Sequence, residues 1–361
     1  MNEIEATEIT ERNNLAVVGV IEEIKPIPGK DFVELVKIKD CGYTFICEKI
    51  HKINNLVVFI KYDTVVPDNK LFEFMKNCKF KVKAKSFTVK NELGEVIDKI
   101  YSQGIVLPVL KIYEYLDTKN EYFGWLKEGM DLTQHLDIKK YIPPVQGSGS
   151  SFGNIQAVGS FPTELVNKTD ELNICSVMKA LPEIKGLPVY ITQKLEGSSL
   201  SCGFDNEGEF FVCSRNNKLK ENDNKFWEAV RKNDIEAKLS NIPDIILQAE
   251  LVGPEIQKNK LGLSEVTLFI FNMIDKKDRR RLSWTEMKDI ATKYDIPLVP
   301  VCCEIESFDW DFNKLQEYSD IQKYENGELA EGIVIRPMKP FCSSYIKTDW
   351  SLKCINRNYK L

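Results

Sequence analysis

A stretch rich in proline, glycine and serine divides the sequence into two halves with different patterns. It runs from Tyr141 to Gly153 and holds two consecutive prolines followed by a Gly/Ser run, which suits neither helix nor strand. Its glycines loosely imitate a phosphate-cradling loop, but no strong strand precedes them and no helix clearly comes after them, which favours a linker. Since 361 residues suggest about two domains, we predict domains at 1–142 and 154–361 joined by a linker at 143–153.

The first half consists of short β-rich runs separated by turn signals. This pattern predicts a small barrel or sandwich over about residues 14–110 rather than βαβ units. The runs are Leu15 to Ile21, Phe32 to Ile38, Tyr43 to Cys47, Leu56 to Tyr62, Lys79 to Lys85 and Gly104 to Leu110.

The run Lys79 to Lys85 alternates strictly between lysine and apolar residues. As a strand it would place Lys79, Lys81, Lys83 and Lys85 on one face. Such a face has the spacing to follow a phosphate backbone, so we expect RNA binding here. An ordinary solvated face of the barrel is the alternative.

The second half shows a mixed α and β pattern. Strands are predicted at Val189 to Thr192, Gly208 to Cys213, Ile245 to Val252 and Val266 to Ile274, and helices at Glu221 to Lys238, Ser283 to Tyr294 and Asn313 to Tyr324.

Composition excludes several classes of protein. With 43% hydrophobic and 29% charged residues, the chain can form cores, which excludes wholesale disorder. Its apolar runs are too short to span a bilayer, and the acidic start at Met1 to Glu5 lacks the apolar core of a secretory signal. We expect a soluble intracellular monomer, in cytoplasm or nucleus.

The side chains available for chemistry are also restricted. The only histidines are His51 and His135, and the ten cysteines contain no CxxC pair, so histidine triads and zinc sites are disfavoured and the cysteines are expected to be reduced core residues. Net charge is −5, yet residues 76–90 hold six lysines and no acid. An enzyme of this composition would use lysine, carboxylates and a hard cation.

One short segment fits that chemistry. Lys194-Leu195-Glu196-Gly197 directly follows a strand-like run, which suits a nucleophilic lysine beside a metal-binding carboxylate, with glycine allowing close approach of the backbone. Many surface loops share this pattern, so the segment gains weight only from a series of later segments in the chain. In order, those segments are Ser214 to Asn216, Ala249 to Pro254, Leu268 to Asp275, Glu331 to Arg336 and Leu352 to Asn356.

The series resembles motifs I, Ia, III, IIIa, IV and V of the covalent nucleotidyltransferases, which are the polynucleotide ligases and mRNA capping enzymes. With a β-rich domain upstream and the segments 160–162, 168–171 and 250–259, the chain is similar to the ATP-dependent RNA ligase 5 group, which seals 3′-OH and 5′-phosphate ends. The resemblance implies an α+β fold in which an N-terminal OB-type β-barrel precedes an ATP-grasp-like adenylyltransferase domain with antiparallel sheets and flanking helices.

The resemblance also implies a role for each motif residue. Lys194 attacks the α-phosphate of ATP to give lysyl-AMP, AMP passes to an RNA 5′-phosphate, and a 3′-OH then displaces it. Glu196, Glu250 and Glu331 hold Mg²⁺ or Mn²⁺, largely through water. Of the other residues, Arg215 contacts the ribose or the RNA end, Phe271 stacks on adenine unless it is ordinary core packing, Lys353 neutralises the α-phosphate and Ser199 lines the ribose-phosphate region.

Two positions depart from the family pattern. Motif I usually has Asp where this chain has Glu196, one methylene longer, which affects metal geometry but not charge. Several ligases have a second motif V lysine where this chain has Ile355. Lys347 and Lys360 are candidates to replace it.

The implied substrate is RNA at nicked or bridged duplex ends, with an RNA 3′-OH strand. A DNA ligase or a GTP-using capping enzyme is an alternative, disfavoured because those enzymes carry an OB domain after motif V and only seven residues follow Cys354 here. A non-catalytic nucleic-acid-binding homologue is another, disfavoured by the intact Lys194, Glu250 and Glu331.

Overall fold

The computed structural model describes residues 14–90, 95–119, 124–141, 154–168 and 171–359. These residues form two compact units, one up to residue 141 and one from residue 154. The predicted linker at 143–153 lies outside the described residues, so its bounds stay a prediction. None of the described helices is both long and apolar enough to cross a membrane.

The first unit is mainly β-structure. Its strands are β1 (Ala16–Pro26), β2 (Val33–Ile38), β3 (Thr44–Glu48), β4 (Leu56–Lys61), β5 (Thr64–Val65), β6 (Lys81–Val82), β7 (Lys85–Lys90), β8 (Val96–Ser102), β9 (Gly104–Pro108) and β10 (Lys139–Lys140), with a 3₁₀ helix at Lys70–Cys78 and helix α1 at Val109–Thr118.

Five of these strands form one curved sheet in the order β3-β2-β1-β4-β9. Edge strand β3 is bonded to the segment that leads into the other edge strand, β9: Thr44 Oγ1 donates to the Tyr101 carbonyl (2.7 Å) and Gln103 N donates to the Thr44 carbonyl (2.8 Å). Bonding between edges removes unpaired strand groups from solvent, and the predicted OB-type barrel is confirmed. The last predicted strand ends earlier than Leu110, because α1 begins at Val109.

The predicted single strand from Lys79 to Lys85 is wrong. Asn69 caps the 3₁₀ helix by accepting a hydrogen bond from Phe72 N, and Lys79 ends that helix with a φ of 51°. Phe80 is also left-handed, with a φ of 57°, so the chain turns twice where the prediction has a straight strand. The four lysines therefore do not share one strand face.

The residues after this turn belong to two separate strand pairings. Strand β6 pairs with β5, and β7 pairs with β8. Lys79, Lys83 and Lys85 are exposed, whereas Lys81 is half-buried, with its Nζ 3.1 Å from the Tyr141 hydroxyl.

The second unit contains two sheets and four helices. Its elements are β11 (Ala157–Ser160), β12 (Leu172–Asn173), β13 (Val189–Lys194), β14 (Ser198–Phe204), β15 (Phe210–Cys213), β16 (Asn217–Leu219), α2 (Lys225–Lys232), α3 (Ile235–Leu239), β17 (Ile245–Val252), β18 (Thr267–Asp275), β19 (Arg280–Arg281), α4 (Trp284–Tyr294), β20 (Val301–Ile305), α5 (Phe312–Asp320), β21 (Gly332–Pro337) and β22 (Leu352–Ile355), with 3₁₀ turns at Ile174–Ser176 and Met178–Ile184.

The larger sheet has the order β11-β16-β15-β14-β17-β18-β19 and the smaller one β12-β22-β21-β13-β20. All pairs are antiparallel except β12 with β22, so the predicted antiparallel sheets are confirmed with one parallel edge. The α+β class is confirmed with them.

The helices of this unit follow their local sequence signals. Ser283 and Glu286 form a capping box at the start of α4, which satisfies amide groups that the first turn leaves unpaired. Trp284 of this helix is buried and stacks on Tyr190 of β13, with ring centroids 4.3 Å apart. The helix predicted from Glu221 to Lys238 is two helices, because Asp234 adopts a left-handed φ of 50° between them.

Candidate active site

Lys194 is the last residue of β13 and lies opposite Gly332, the first residue of β21. Glu331 directly precedes that glycine, and the distance from Lys194 Nζ to Glu331 Oε2 is 2.6 Å. The two side chains are only 23% and 17% exposed. The register of this strand pair therefore places a charged lysine and a carboxylate in contact in a largely buried position.

Two glycines let the backbone come close around this pair. Gly332 has a φ of 150°, and a Cβ there would overlap the Cys354 carbonyl of β22. A Cβ on Gly197 would overlap the Leu251 carbonyl and the Glu250 side chain. The close approach predicted for the glycine after Glu196 is present.

Glu250 provides a second carboxylate near Lys194. It lies on β17 opposite Ser199 of β14 and accepts a hydrogen bond from the Gly197 amide. Burial raises the pKa of Glu250 to about 7, with Lys194 opposing the rise and Glu331 adding to it. Burial alone would lower the pKa of Lys194, but Glu331 and Glu250 outweigh it and hold that pKa above its usual value. Lys194 therefore rests as an ammonium ion.

Glu196 supplies a buried carboxylate oxygen, Oε2, and the Tyr359 hydroxyl is a buried polar group beside this carboxylate. Neither atom has a well-formed hydrogen bond among the described residues, although the two side chains interact: burial, and then the Glu196 carboxylate, raise the pKa of the Tyr359 phenol. A buried carboxylate oxygen with so little bonding suits a cation or water, since desolvating it alone is costly.

The donor set fits a hard cation. Glu196, Glu250 and Glu331 offer carboxylate oxygens, the ligands that Mg²⁺ and Mn²⁺ prefer. Within the described ranges no three His, Cys, Asp or Glu side chains are close enough together to hold a metal ion directly. Binding through water, as predicted for these glutamates, is compatible with that spacing.

Tyr324, which the sequence did not single out, joins the two strand ends that carry the charged residues. Its buried hydroxyl donates a hydrogen bond to the Lys194 carbonyl at 3.1 Å and accepts one from each of the amides of Glu196 and Glu331, both at 3.2 Å. A tyrosine seven residues before Glu331 carries no motif signal. The sequence pattern around it, a turn with Gly327 closed by a Lys323–Leu329 bridge, predicts only a loop.

The motif V lysine lies on the same sheet face as Lys194. Thr192 of β13 is opposite Val334 of β21, which is opposite Lys353 of β22. Residues two apart on a strand share a face, so Lys353 lies on the same face as Lys194, two residues further along the strands. Ile355 is the residue of β22 level with Lys194, because both are opposite Gly332.

The remaining predicted residues occupy the larger sheet and its loops. Ser199 is half-buried on β14 and Arg215 is exposed in the turn between β15 and β16. Phe271 is the extra residue of a β-bulge in β18, between Ile270 and Asn272, and bulges often redirect a side chain near a site. Its half-buried ring packs against the apolar cluster that contains Leu195. Of the two lysines considered as replacements at Ile355, Lys347 is exposed and Lys360 lies outside the described residues.

A buried ion pair supports the same face of the smaller sheet. Arg336 of β21 is 2% exposed and donates to Glu171 Oε1 at 2.6 Å, to Ser351 Oγ at 2.8 Å and to the Phe271 carbonyl at 2.7 Å. Burial favours a higher pKa for Glu171, but Arg336 and Arg281 outweigh it and bring that pKa to about 2. Arg336 thus connects the two sheets, because it is held by groups from both.

Both halves of the chain match known domain families. Residues 187–355 match the family model described as RNA ligase, and residues 15–109 match an OB-fold domain model. No curated protein matches the chain.

Solved structures of Naegleria gruberi RNA ligase share the fold. A lysine-to-alanine mutant with ATP and Mn has a TM-score of 0.78 at 23% identity, covering 96% of this chain and 98% of that one. A lysine-to-methionine mutant with AMP and Mn gives 0.77 at 23% identity with the same coverage. The protein with PPi gives 0.76 at 23% identity, covering 96% and 97%.

We expect Tyr324→Phe to destabilise the protein by about 2–4 kcal/mol, because two buried amides lose their acceptor and one carbonyl its donor. Urea unfolding of the full chain measures the loss. Tyr294→Phe is the control, since Tyr294 is half-buried in α4, and should change stability by less than about 0.5 kcal/mol. Equal stability of the two variants would contradict the structural role of the Tyr324 hydroxyl.

Glu171→Gln should cost about 3–5 kcal/mol at pH 7, because it leaves Arg336 buried without its carboxylate. Since the folded pKa of Glu171 is about 2, below its unfolded value, the stabilisation is present above about pH 4.5 and declines as pH falls towards 2. The stability difference between wild type and variant, measured by urea unfolding, should shrink over that range. Glu317→Gln, on the exposed side of α5, should show no such pH dependence; a Glu171→Gln deficit that stays constant to pH 3 would contradict the assignment.

Proposed function

We propose that this chain, whose residues 187–355 carry an RNA ligase family domain and whose residues 15–109 carry an OB-fold domain, is an ATP-dependent RNA ligase. It joins a 3′-OH to a 5′-phosphate, at nicks in duplex nucleic acid with an RNA 3′-OH strand. The observation that carries the proposal is the buried contact between Lys194 and Glu331 inside that domain. Structures of similar fold contain ATP and Mn or PPi, which supports the choice of nucleotide and cation.

The reaction begins on the Lys194 side chain. Its Nζ attacks the α-phosphorus of ATP, forming an N–P bond while the P–O bond to the β-phosphate breaks and pyrophosphate leaves. The adenylyl group then passes to the 5′-phosphate of the RNA, which frees Lys194. Attack by the 3′-OH on that phosphate forms the phosphodiester and releases AMP.

Before it can attack, Lys194 must lose a proton. Glu331 is the carboxylate in contact with Nζ, at 2.6 Å, so the proton can leave along that hydrogen bond. In the free protein the surrounding carboxylates hold the lysine in its charged form, so activation requires that their charge be offset. A bound Mg²⁺ or Mn²⁺ supplies that positive charge and stabilises the α-phosphate as charge develops. Glu196, Glu250 and Glu331 would hold it, largely through water.

The other predicted residues bind and orient the substrates. Lys353 shares the sheet face of Lys194, which suits contact with the α-phosphate. Phe271, half-buried at a bulge, offers a ring face for adenine. Ser199, opposite Glu250, would line the ribose-phosphate region, and the exposed Arg215 would contact the ribose or the RNA end.

Labelled ATP tests the proposal. Incubated with [α-³²P]ATP and Mg²⁺ or Mn²⁺, the full chain should form an acid-stable adduct, and Lys194→Ala should form none because the attacking nitrogen is gone. Lys293→Ala, which removes an exposed lysine of α4, should label like wild type. An adduct formed from GTP but not ATP would point to a capping-type enzyme. If wild type yields no adduct with either metal, the proposed function is wrong.

Surface lysines of the first unit should act on RNA rather than on ATP. We propose that the exposed Lys79, Lys83 and Lys85 contact RNA as separate cations, together with the half-buried Lys81. Lys79→Glu/Lys83→Glu should weaken binding and sealing of a nicked duplex about tenfold while adenylation stays within twofold of wild type. The control Lys30→Glu/Lys52→Glu reverses two other exposed charges and should reduce sealing less. Equal loss of sealing and adenylation at Lys79/Lys83 would show that these lysines are structural.

A further inference from the structure

A cavity of about 510 Å³ lies beside the edge strand β19 of the second unit. Four cationic side chains line it, together with two acidic ones. The cations are Arg279, Arg280, Arg281 and Lys339, and the acids are Glu286 and Asp349.

The two acids do not neutralise this cavity. Glu286 is occupied by Arg280 in a bidentate pair at 3.0 and 3.1 Å. Arg279 uses one nitrogen to bond the Thr163 carbonyl and Asn167 Oδ1, which leaves its charge uncompensated. Lys339 is exposed and pairs with no acid among the described residues. The lining therefore keeps an excess of positive charge.

Arg281 strengthens the case for a ligand. Its side chain is only 12% exposed, and Asp349 Oδ2 lies 3.6 Å from its Nε, too far for a hydrogen bond. That Nε is buried and has no hydrogen-bond partner among the described residues. Burial, and then Arg336, lower the pKa of Arg281, so an added anion would relieve an unfavourable environment.

The residue types indicate which anion fits. The chain has 49 lysines and arginines, of which only eight are arginine, yet three of those eight are consecutive at residues 279–281. Arginine presents a planar fork of N–H donors that matches the oxygens of a phosphate, whereas lysine offers a point charge. A cavity lined by this excess of cationic groups suits a phosphate rather than a neutral ligand.

This cavity is separate from the candidate active site. Lys194 and Gly332 mark one end of the β13–β21 pair, and Val189 and Pro337 mark the other. Lys339 follows that second end by two residues. Val189 and Lys194 are five residue steps apart, which is about 17 Å at about 3.4 Å per step. In a duplex this corresponds to about five base steps.

We propose that the cavity binds a backbone phosphate of the RNA strand, about five nucleotides from the joined ends. The proposal rests on the proposed function, since it is the RNA ligase reaction that brings a strand to Lys194. The cavity would anchor the duplex at a second point and would have no part in adenylation.

Binding of a fluorescent nicked RNA duplex to the full chain, in EDTA and without ATP, tests this independently of chemistry. Arg279→Ala/Lys339→Ala should raise the Kd about tenfold and reduce the slope of log K against log salt by about two. The matched control Lys293→Ala/Lys314→Ala removes two exposed helix lysines outside the cavity and should stay within twofold of wild type. Asp349→Asn, which removes an acid from the lining, should tighten binding.

Additional measurements on these variants distinguish RNA phosphate from free polyphosphate and show whether the variants are folded. Lysyl-AMP formation should be unchanged in Arg279→Ala/Lys339→Ala. If wild type itself forms no lysyl-AMP, the proposed function is wrong, but the RNA-binding measurement still tests whether the cavity binds RNA. A raised KM for ATP with unchanged RNA binding would overturn the proposal, because the cavity would then serve a free polyphosphate. Arg279→Lys/Lys339→Arg keeps both charges but moves the arginine fork, and should bind RNA more tightly than Arg279→Ala/Lys339→Ala. RNA affinity in Arg279→Ala/Lys339→Ala equal to that of the control would also overturn it.

Discussion

The pairing of β13 with β21 is the constraint on which the contact between Lys194 and Glu331 depends. Its register sets Lys194 opposite Gly332, the residue that directly follows Glu331. Gly332 allows β22 to pass close by, and the Tyr324 hydroxyl holds the Lys194 carbonyl and the Glu331 amide together. A slip of one residue in this register would move the lysine to the other face of the sheet. The site is thus fixed by backbone pairing before any side-chain chemistry begins.

Charge balance then explains why such a site would require both a cation and a nucleotide. Glu331 contacts Lys194, and Glu250 lies close enough to hold the lysine pKa up with it. In the free protein this excess of negative charge keeps Lys194 protonated and unreactive. In the proposed reaction a bound cation would offset these carboxylates together with the phosphates of ATP.

The sequence predicted most strands and singled out the segment that begins at Lys194, because local patterns mark both. Apolar runs mark β1, β4, β17 and β18, and the segment Lys194 to Gly197 marks the end of β13. The strand at Lys79 to Lys85 was predicted wrongly because alternation alone cannot reveal a capped 3₁₀ helix that ends in two left-handed residues. Tyr324 was missed since its role depends on three backbone groups, two of which lie 128 and 130 residues away in sequence. The basic cavity was missed for the same reason, as Lys339 joins residues 279–281 only in the folded chain.

The protonation of Lys194 is the property that tests this account most directly. The rate at which an amine-selective reagent labels Lys194 can be followed by peptide mass spectrometry from pH 7 to 11, without metal or ATP, in wild type and in Glu331→Gln. The account predicts that wild-type Lys194 reacts only at pH values above those at which exposed lysines react, and that Glu331→Gln shifts its profile to lower pH. A wild-type profile that matches the exposed lysines and is unchanged by Glu331→Gln would contradict it.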